Sequence, residues 1–359
     1  MMNRRNLLAK ASAVAALSVT APSFAAPARP KTRDMLVFDA MGEMRTNYTP
    51  ELISEIRDSG LDAITVTLTD PKAYEARAYD EALAAIAEHD AFIAANPQFF
   101  IKGLKTADLG RARAQNKIAV YYLFQNSAQF GRDLSRVRAF YDAGVRSSQL
   151  TYNYQNWAGS GCKEKNGSGV TRFGGELIDA MNEIGMLIDL SHANDATTLG
   201  AIERSAKPVI VSHTCCMAVY KNERNISDEA LKALADKGGV VGVCQIRPFI
   251  TDKRPDVALP DYFAHIDHAV KIAGVDHVAI GSDRDHRVIV MTDEYLEEIA
   301  REEGENFNMA DWPLFIDALN GPRRMEVIWD GLIQRGYKTR DAEKIMGLNL
   351  KRLYGEVIG

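Results

Sequence analysis

Eight short runs rich in β-forming residues recur along the chain between residues 35 and 283, and amphipathic segments separate them. Most runs are nearly continuously apolar, which is typical of strands buried on both faces of a sheet. The segments between them repeat apolar residues at intervals of three and four positions, which predicts helices. The eight predicted strands are residues 35–42, 62–70, 117–126, 147–153, 185–192, 208–214, 238–245 and 277–283.

The alternation of strand and helix predicts parallel pairing, because a crossover helix returns the chain to the same end of the sheet. Ser227 is a suitable N-cap for one of these helices, and the pair Gly238-Gly239 is a suitable stop. Eight repeats predict an α/β protein with a (β/α)₈ TIM barrel. An open, doubly wound sheet is the alternative, because the same alternation suits that fold. We expect residues 26–359 to form one barrel domain with a C-terminal helical extension.

Polar side chains follow the predicted strands at their carboxyl ends, the face on which such barrels build their chemistry. Ser191-His192 ends the fifth strand and Ser212-His213 ends the sixth, while Asp283 ends the eighth. Two histidines and a carboxylate at one face are a metal-site pattern, in which the carboxylate can take a proton from bound water. The alternative is that both histidines are helix caps or satisfied polar residues.

Net charge and the N-terminal segment indicate which partners and which cellular compartment to expect. The net charge is −5 without a basic block, which argues against nucleic acid. Residues 1–25 carry Arg4-Arg5 before a mildly apolar stretch and end in a small-x-small site, which predicts a twin-arginine signal peptide, with an ordinary secretory signal as the alternative. No other apolar stretch is long enough to span a bilayer. We therefore expect a periplasmic protein without a transmembrane anchor.

Longer segments resemble the membrane (renal) dipeptidase family of zinc peptidases, peptidase family M19, which is a branch of the amidohydrolase-like barrels. The resemblance covers about residues 35–355. The similar segments are specific to the family when taken together, whereas any one of them alone would be a weak indication. It implies a barrel of the metal-dependent hydrolase type that cleaves dipeptides. The segments are GGELIDAMNEIGMLIDLSHAN, PVIVSHT, ERNISDEALKALADKGGVVGV, HIDHAVKIAGVDHVAIGSDRD and EKIMGLNLKRLY.

The resemblance also implies roles for four residues. In the family, two zinc ions share a glutamate from strand three; one ion also binds a His-x-Asp pair from strand one, and the other binds histidines of strands five and six. These last two fall on His192 and His213. The substrate-binding arginine falls on Arg224, which would hold a carboxylate by two hydrogen bonds. The strand-eight aspartate falls on Asp283, the candidate general base.

Four positions depart from the family pattern. Met41-Gly42-Glu43 replaces the His-x-Asp pair, Gln125 replaces the bridging glutamate, and Tyr152 replaces a substrate-contacting histidine. Methionine is a poor zinc ligand, and a neutral amide does not offset the repulsion between two dications. The first zinc position should therefore be lost.

We expect at most one zinc ion, held by His192 and His213 with Gln125 or Glu43 as further candidate ligands, or no metal at all. Three interpretations stay open: a dipeptidase-like metallohydrolase, a barrel with a different small-molecule reaction, and a non-catalytic periplasmic binding protein. The replaced positions are still polar, which favours a reshaped pocket, with Tyr152 against the substrate. The expected partner is a small molecule such as a dipeptide, and a homodimer is left open.

Overall fold

The computed structural model describes residues 35–303 and 308–359, so the predicted signal peptide over residues 1–25 lies outside the described residues. Nine strands form one parallel sheet within these two ranges. They are β1 Phe38–Gly42, β2 Ala63–Thr67, β3 Phe100–Lys102, β4 Ile118–Phe124, β5 Val145–Gln149, β6 Leu187–Asp189, β7 Ile210–Thr214, β8 Val240–Val243 and β9 Val278–Ile280.

Helices separate the strands in the described part of the chain. They are α1 Pro50–Asp58, α2 Glu75–Ala95, α3 Thr106–Ala114, α4 Ser135–Asp142, α5 Arg172–Ile184, α6 Asp195–Arg204, α7 Asp228–Asp236, α8 Arg247–Ile250, α9 Leu259–Ala273, α10 Asp293–Glu303, α11 Arg324–Gln334, α12 Thr339–Glu343 and α13 Asn349–Val357. A π-helical turn over Lys344–Leu348 joins the last two. As predicted, Ser227 caps α7, and its hydroxyl accepts a hydrogen bond from the Ala230 amide.

The strand order β1-β2-β4-β5-β6-β7-β8-β9 contains all eight predicted strands in chain order. The additional strand β3 pairs with Ile118–Val120 of β4, and β5 pairs with residues 122–124 of the same strand. Because β2 occupies one edge of β4, β3 and β5 follow each other along the other edge. The prediction missed β3, a three-residue strand of which only Phe100 is buried.

The barrel closes between β9 and β1 through hydrogen bonds just beyond the strand ends. The Asp283 amide donates to the Met41 carbonyl at 2.9 Å, and the Glu43 amide donates to the Arg284 carbonyl at 3.1 Å. The (β/α)₈ barrel is thereby confirmed. In the ranges that the structure describes, no helix is both long and apolar enough to cross a bilayer.

The polar strand β5 lies earlier than predicted, at Val145–Gln149 instead of 147–153. All five residues of this strand are buried, although four of them are polar. Ser147 Oγ donates to the Leu187 carbonyl and Ser148 Oγ to the Asn126 carbonyl, so these hydroxyls are satisfied inside the sheet. Hydrophobicity alone could not locate the start of a strand whose serine side chains are buried and hydrogen-bonded.

Candidate functional site

The carboxyl ends of the strands open into a cavity of about 640 Å³. Six of the seven residues that the sequence singled out line it, and the seventh, His213, is fully buried against His192. The six lining residues are Glu43, Gln125, Tyr152, His192, Arg224 and Asp283.

The two histidines meet through their Nε2 atoms, which are 3.0 Å apart. His192 Nδ1 donates to the Asn153 side-chain oxygen at 2.7 Å, and His213 Nδ1 lies 2.8 Å from Ser212 Oγ. With a proton on each Nδ1, both Nε2 atoms present lone pairs to each other, and lone pairs at this distance repel unless a cation lies between them. Two imidazoles on one tetrahedral zinc place their nitrogens about 3.3 Å apart, so this pair fits one shared ion.

The surroundings keep both imidazoles neutral. Burial lowers the pKa of His192 and of His213 well below the usual value, and the nearby Arg224 guanidinium lowers both further. Neutral imidazole is the form that binds metal. The pair is therefore ready to ligate without first losing a proton.

Arg224 is held beside the histidines by the main chain. Its Nη2 donates to the His213 carbonyl at 3.0 Å, and its guanidinium lies 5.5 Å from the centre of the Phe249 ring. Its Nε is buried without a hydrogen-bond partner. A buried, unsatisfied cationic donor on a cavity wall favours an anionic ligand.

Asp283 supplies a buried carboxyl group to the same cavity. Burial raises its pKa to about 7; Glu43 and Asp39 add to the rise, while Arg224 opposes it. A carboxyl group with this pKa exchanges a proton near neutral pH, as a general acid or base must. Its backbone has a φ of 54°, in the left-handed region that asparagine and aspartate tolerate better than most residues.

The first zinc position of the family pattern has no equivalent set of ligands. Met41 is buried, and the Glu43 carboxylate accepts a hydrogen bond from Arg45 Nε at 2.6 Å. Arg45 also pairs with Asp285 at 3.0 Å, so it neutralises charge that a metal would need. Over residues 35–303 and 308–359, no three His, Cys, Asp or Glu side chains converge as a metal site.

Tyr152 packs directly on one of the histidines. Its ring centre lies 4.2 Å from that of His192, with an interplanar angle of 32°. Because Tyr152 also lines the cavity, it can position the imidazole and contact a ligand at the same time.

Sequence reasoning missed the carboxylate that supports the histidines. Asp189 is fully buried, and its Oδ1 accepts hydrogen bonds from the amides of Ser191 at 3.0 Å and Ser212 at 3.1 Å. Its Oδ2 accepts one from Ser212 Oγ at 2.5 Å. We call this arrangement the β6–β7 clamp. Burial raises the pKa of Asp189, and these hydrogen bonds act against that rise.

A matching clamp joins β9 to β1. Asp39 accepts hydrogen bonds from the Ser282 amide at 2.8 Å and from Ser282 Oγ at 2.5 Å, and it too is fully buried. We call this the β9–β1 clamp. The sequence carries a signal for both, because each aspartate lies in a buried strand and each serine directly precedes a site residue, His213 or Asp283.

Apolar side chains from the segment after Asp285 form one wall of the cavity, which we call the roof. The sequence alone predicts only a helical extension for this segment. The roof residues are Ile289, Tyr295, Ile299, Trp312 and Leu314.

The amino-acid sequence is similar to a known protein family and to individual proteins. The family profile "Membrane dipeptidase (Peptidase family M19)" matches residues 40–300. A protein of Klebsiella pneumoniae described as "Uncharacterized protein in pqqA 5'region" is 32% identical over 246 residues, which are 65% of this chain and 85% of that protein. An uncharacterized dipeptidase of Schizosaccharomyces pombe is 36% identical over 178 residues, 48% of this chain and 43% of its own length. This chain thus spans less than half of the yeast protein.

A solved structure shares the complete barrel. The amidohydrolase from Pseudomonas aeruginosa is 29% identical and superimposes with a TM-score of 0.81. The superposition covers 90% of this chain and 97% of the amidohydrolase.

Proposed function

The chain belongs to the membrane dipeptidase family, peptidase family M19, and from that premise we propose that it is a dipeptidase-like metallohydrolase with one zinc ion at His192 and His213. The observation that carries this proposal is the 3.0 Å approach of the two Nε2 atoms while each Nδ1 has its own partner. The side-chain oxygen of Gln125 is the further donor that we favour, because Glu43 is already paired with Arg45.

The ion and the chain contribute different parts of the chemistry. A bound zinc ion supplies Lewis acidity and lowers the pKa of a coordinated water to about 7. Asp283 takes a proton from the attacking water and returns it to the leaving nitrogen, for which its raised pKa is suited. The buried carboxyl group can hold that proton between the two steps.

Arg224 and Tyr152 orient the substrate. The Arg224 guanidinium lines the cavity and binds the terminal carboxylate of a dipeptide or a related small amide. Tyr152 packs against His192 and lines the cavity, where the family pattern has a histidine.

Metal titration of the purified protein tests the proposal. We expect one zinc ion per chain in the wild type and none in His213→Ala, since one imidazole leaves too few donors. His268→Ala is the matched control, because His268 pairs with Asp228 instead of the other histidines. Hydrolysis of dipeptides should follow zinc content across these proteins.

Two other results would contradict the proposal. Two zinc ions in the wild type would show that Met41 and Gln125 do not abolish the first position. No zinc, together with dipeptide binding but no cleavage, would favour the non-catalytic binding protein.

We also propose export to the periplasm by the twin-arginine route, as one domain over residues 26–359. The pair Arg4-Arg5 supports this proposal. Replacing both arginines by lysine should leave an uncleaved precursor in the cytoplasm, as seen by fractionation and immunoblotting. Normal periplasmic appearance of that double variant would indicate the ordinary secretory route instead.

A further inference from the structure

We propose that Asp189 and Ser212 are positioning residues that fix the tautomer of His213, so that its Nε2 lone pair is available to the metal. The proposal rests on the zinc site proposed above and assigns a role to two residues outside the ligand set. It follows from where each proton in the β6–β7 clamp can go.

The Asp189 carboxylate can only accept hydrogen bonds. Its Oδ1 takes two amide protons, and its Oδ2 takes the single hydroxyl proton of Ser212 at 2.5 Å. Ser212 Oγ therefore has no proton left for His213 and must accept one from Nδ1, which lies 2.8 Å away. The His213 proton is thereby placed on Nδ1, and Nε2 keeps its lone pair.

The histidine is also fixed in position. Its amide donates to Ser191 Oγ at 3.0 Å, and its carbonyl accepts from Arg224 Nη2 at 3.0 Å. His213 and Ser212 are almost completely buried, so water does not compete for these hydrogen bonds. The ring can therefore respond to a change in the clamp by moving a proton from one nitrogen to the other.

Asp189→Asn reverses the direction of this chain of hydrogen bonds. The asparagine oxygen keeps the position that faces the two amides, so its NH₂ group faces Ser212 Oγ. Ser212 then accepts from Asn and its own proton is free to donate to His213 Nδ1 at 2.8 Å, a nearer acceptor than Ser191 Oγ at 3.2 Å. The His213 proton moves to Nε2, which removes the lone pair that a metal requires.

The β9–β1 clamp provides a matched control. Asp39→Asn makes the same chemical change in an equally buried Asp–Ser pair, but Ser282 contacts Met41 and Asp39 instead of a histidine. A general effect of a buried asparagine on the barrel should therefore appear in both variants. An effect on His213 should appear only in Asp189→Asn.

The test measures two quantities. Zinc affinity, from competition with a chromophoric chelator, should fall about 10- to 100-fold in Asp189→Asn and in Ser212→Ala, the range expected for losing a partner of a metal-bound histidine. Asp39→Asn should stay within about two-fold of the wild type, well below that range. In the metal-free protein, ring ¹⁵N and ¹³C shifts should report Nδ1–H for wild-type His213 and Nε2–H in Asp189→Asn.

Unchanged zinc affinity in both Asp189→Asn and Ser212→Ala would overturn the proposal, as would equal losses in Asp189→Asn and Asp39→Asn. A wild-type His213 protonated on Nε2 would overturn it as well. The tautomer is measured without metal, so it is tested even if the wild type binds no zinc and the proposed function fails.

Discussion

Asp283 should make the stability of the folded protein fall as the pH rises, and Asp283→Asn should remove that dependence. Its pKa is about 7 in the folded protein, against an ordinary value of 3.8 that we assign to the unfolded chain. Because the folded pKa is raised, the group stabilises the fold fully below the unfolded pKa, and this contribution is lost as the pH rises through the folded one. Asparagine has nearly the same shape and tolerates the positive φ at this position.

The size of the effect follows from the two pKa values. A difference of about three pKa units corresponds to about 4 kcal/mol when the group has fully ionised. About 2 kcal/mol of this falls between pH 5.5 and pH 8, the interval in which the folded carboxyl group loses its proton. The unfolding free energy of the wild type should therefore fall by about 2 kcal/mol more than that of Asp283→Asn over this interval.

Urea unfolding with a chelator present measures this difference in metal-free protein. Asp39→Asn is the control, since the pKa of Asp39 is raised to about 6 and most of its contribution is lost at lower pH. Above about pH 7 its curve should depart only slightly from that of the wild type, because loss of the Asp39 charge lowers the pKa of Asp283 a little. Parallel curves for the wild type and Asp283→Asn from pH 5.5 to pH 8 would refute the reasoning.

Three further predictions concern ligands and substrate. Gln125→Glu should raise zinc affinity at least about ten-fold by adding an anionic donor, while two zinc ions should need Met41→His and Glu43→Asp as well; elemental analysis distinguishes one ion from two. Arg224→Lys should raise KM for dipeptides about 10- to 100-fold, because the bidentate contact with the terminal carboxylate is lost. An equal rise in KM for an analogue without that carboxylate would contradict this. Tyr152→Phe should keep zinc affinity, whereas Tyr152→Ala should lower it about 2- to 10-fold by removing the stacked ring; equal affinities would exclude a role for stacking.

The fold could be predicted because the same pattern, an apolar run followed by an amphipathic segment, repeats along the chain. Most of the eight predicted strands lie in apolar runs long enough to stand out, β5 being the exception, and the helices between them leave little freedom for the connections. Strand β3 carries no such signal: Phe100–Lys102 has three residues, of which two are only half-buried. Its existence depends on the edge of β4 that β5 leaves open.

The candidate site could be predicted only in part. The carboxyl ends of all strands share one face of a barrel, so the sequence alone was enough to assign His192, His213 and Asp283 to that face. The supporting shell could not be assigned in this way. Asp189 lies inside an apolar run, and its role depends on which neighbouring strand brings Ser212 within reach. The pairing of Glu43 with Arg45 likewise depends on side-chain positions that no spacing rule encodes.

The roof has a consequence for how new specificities could arise in this barrel. Every residue to which we assign a chemical role lies at or before Asp283, whereas the apolar wall is contributed by residues after Asp285. A single recombination point near residue 285 would therefore exchange the wall and keep the reaction machinery intact. Chimeras built at that point should keep the metal content and the carboxylate recognition of the parent that supplies residues up to 285, while preference for the part of the substrate that contacts the roof should follow the other parent.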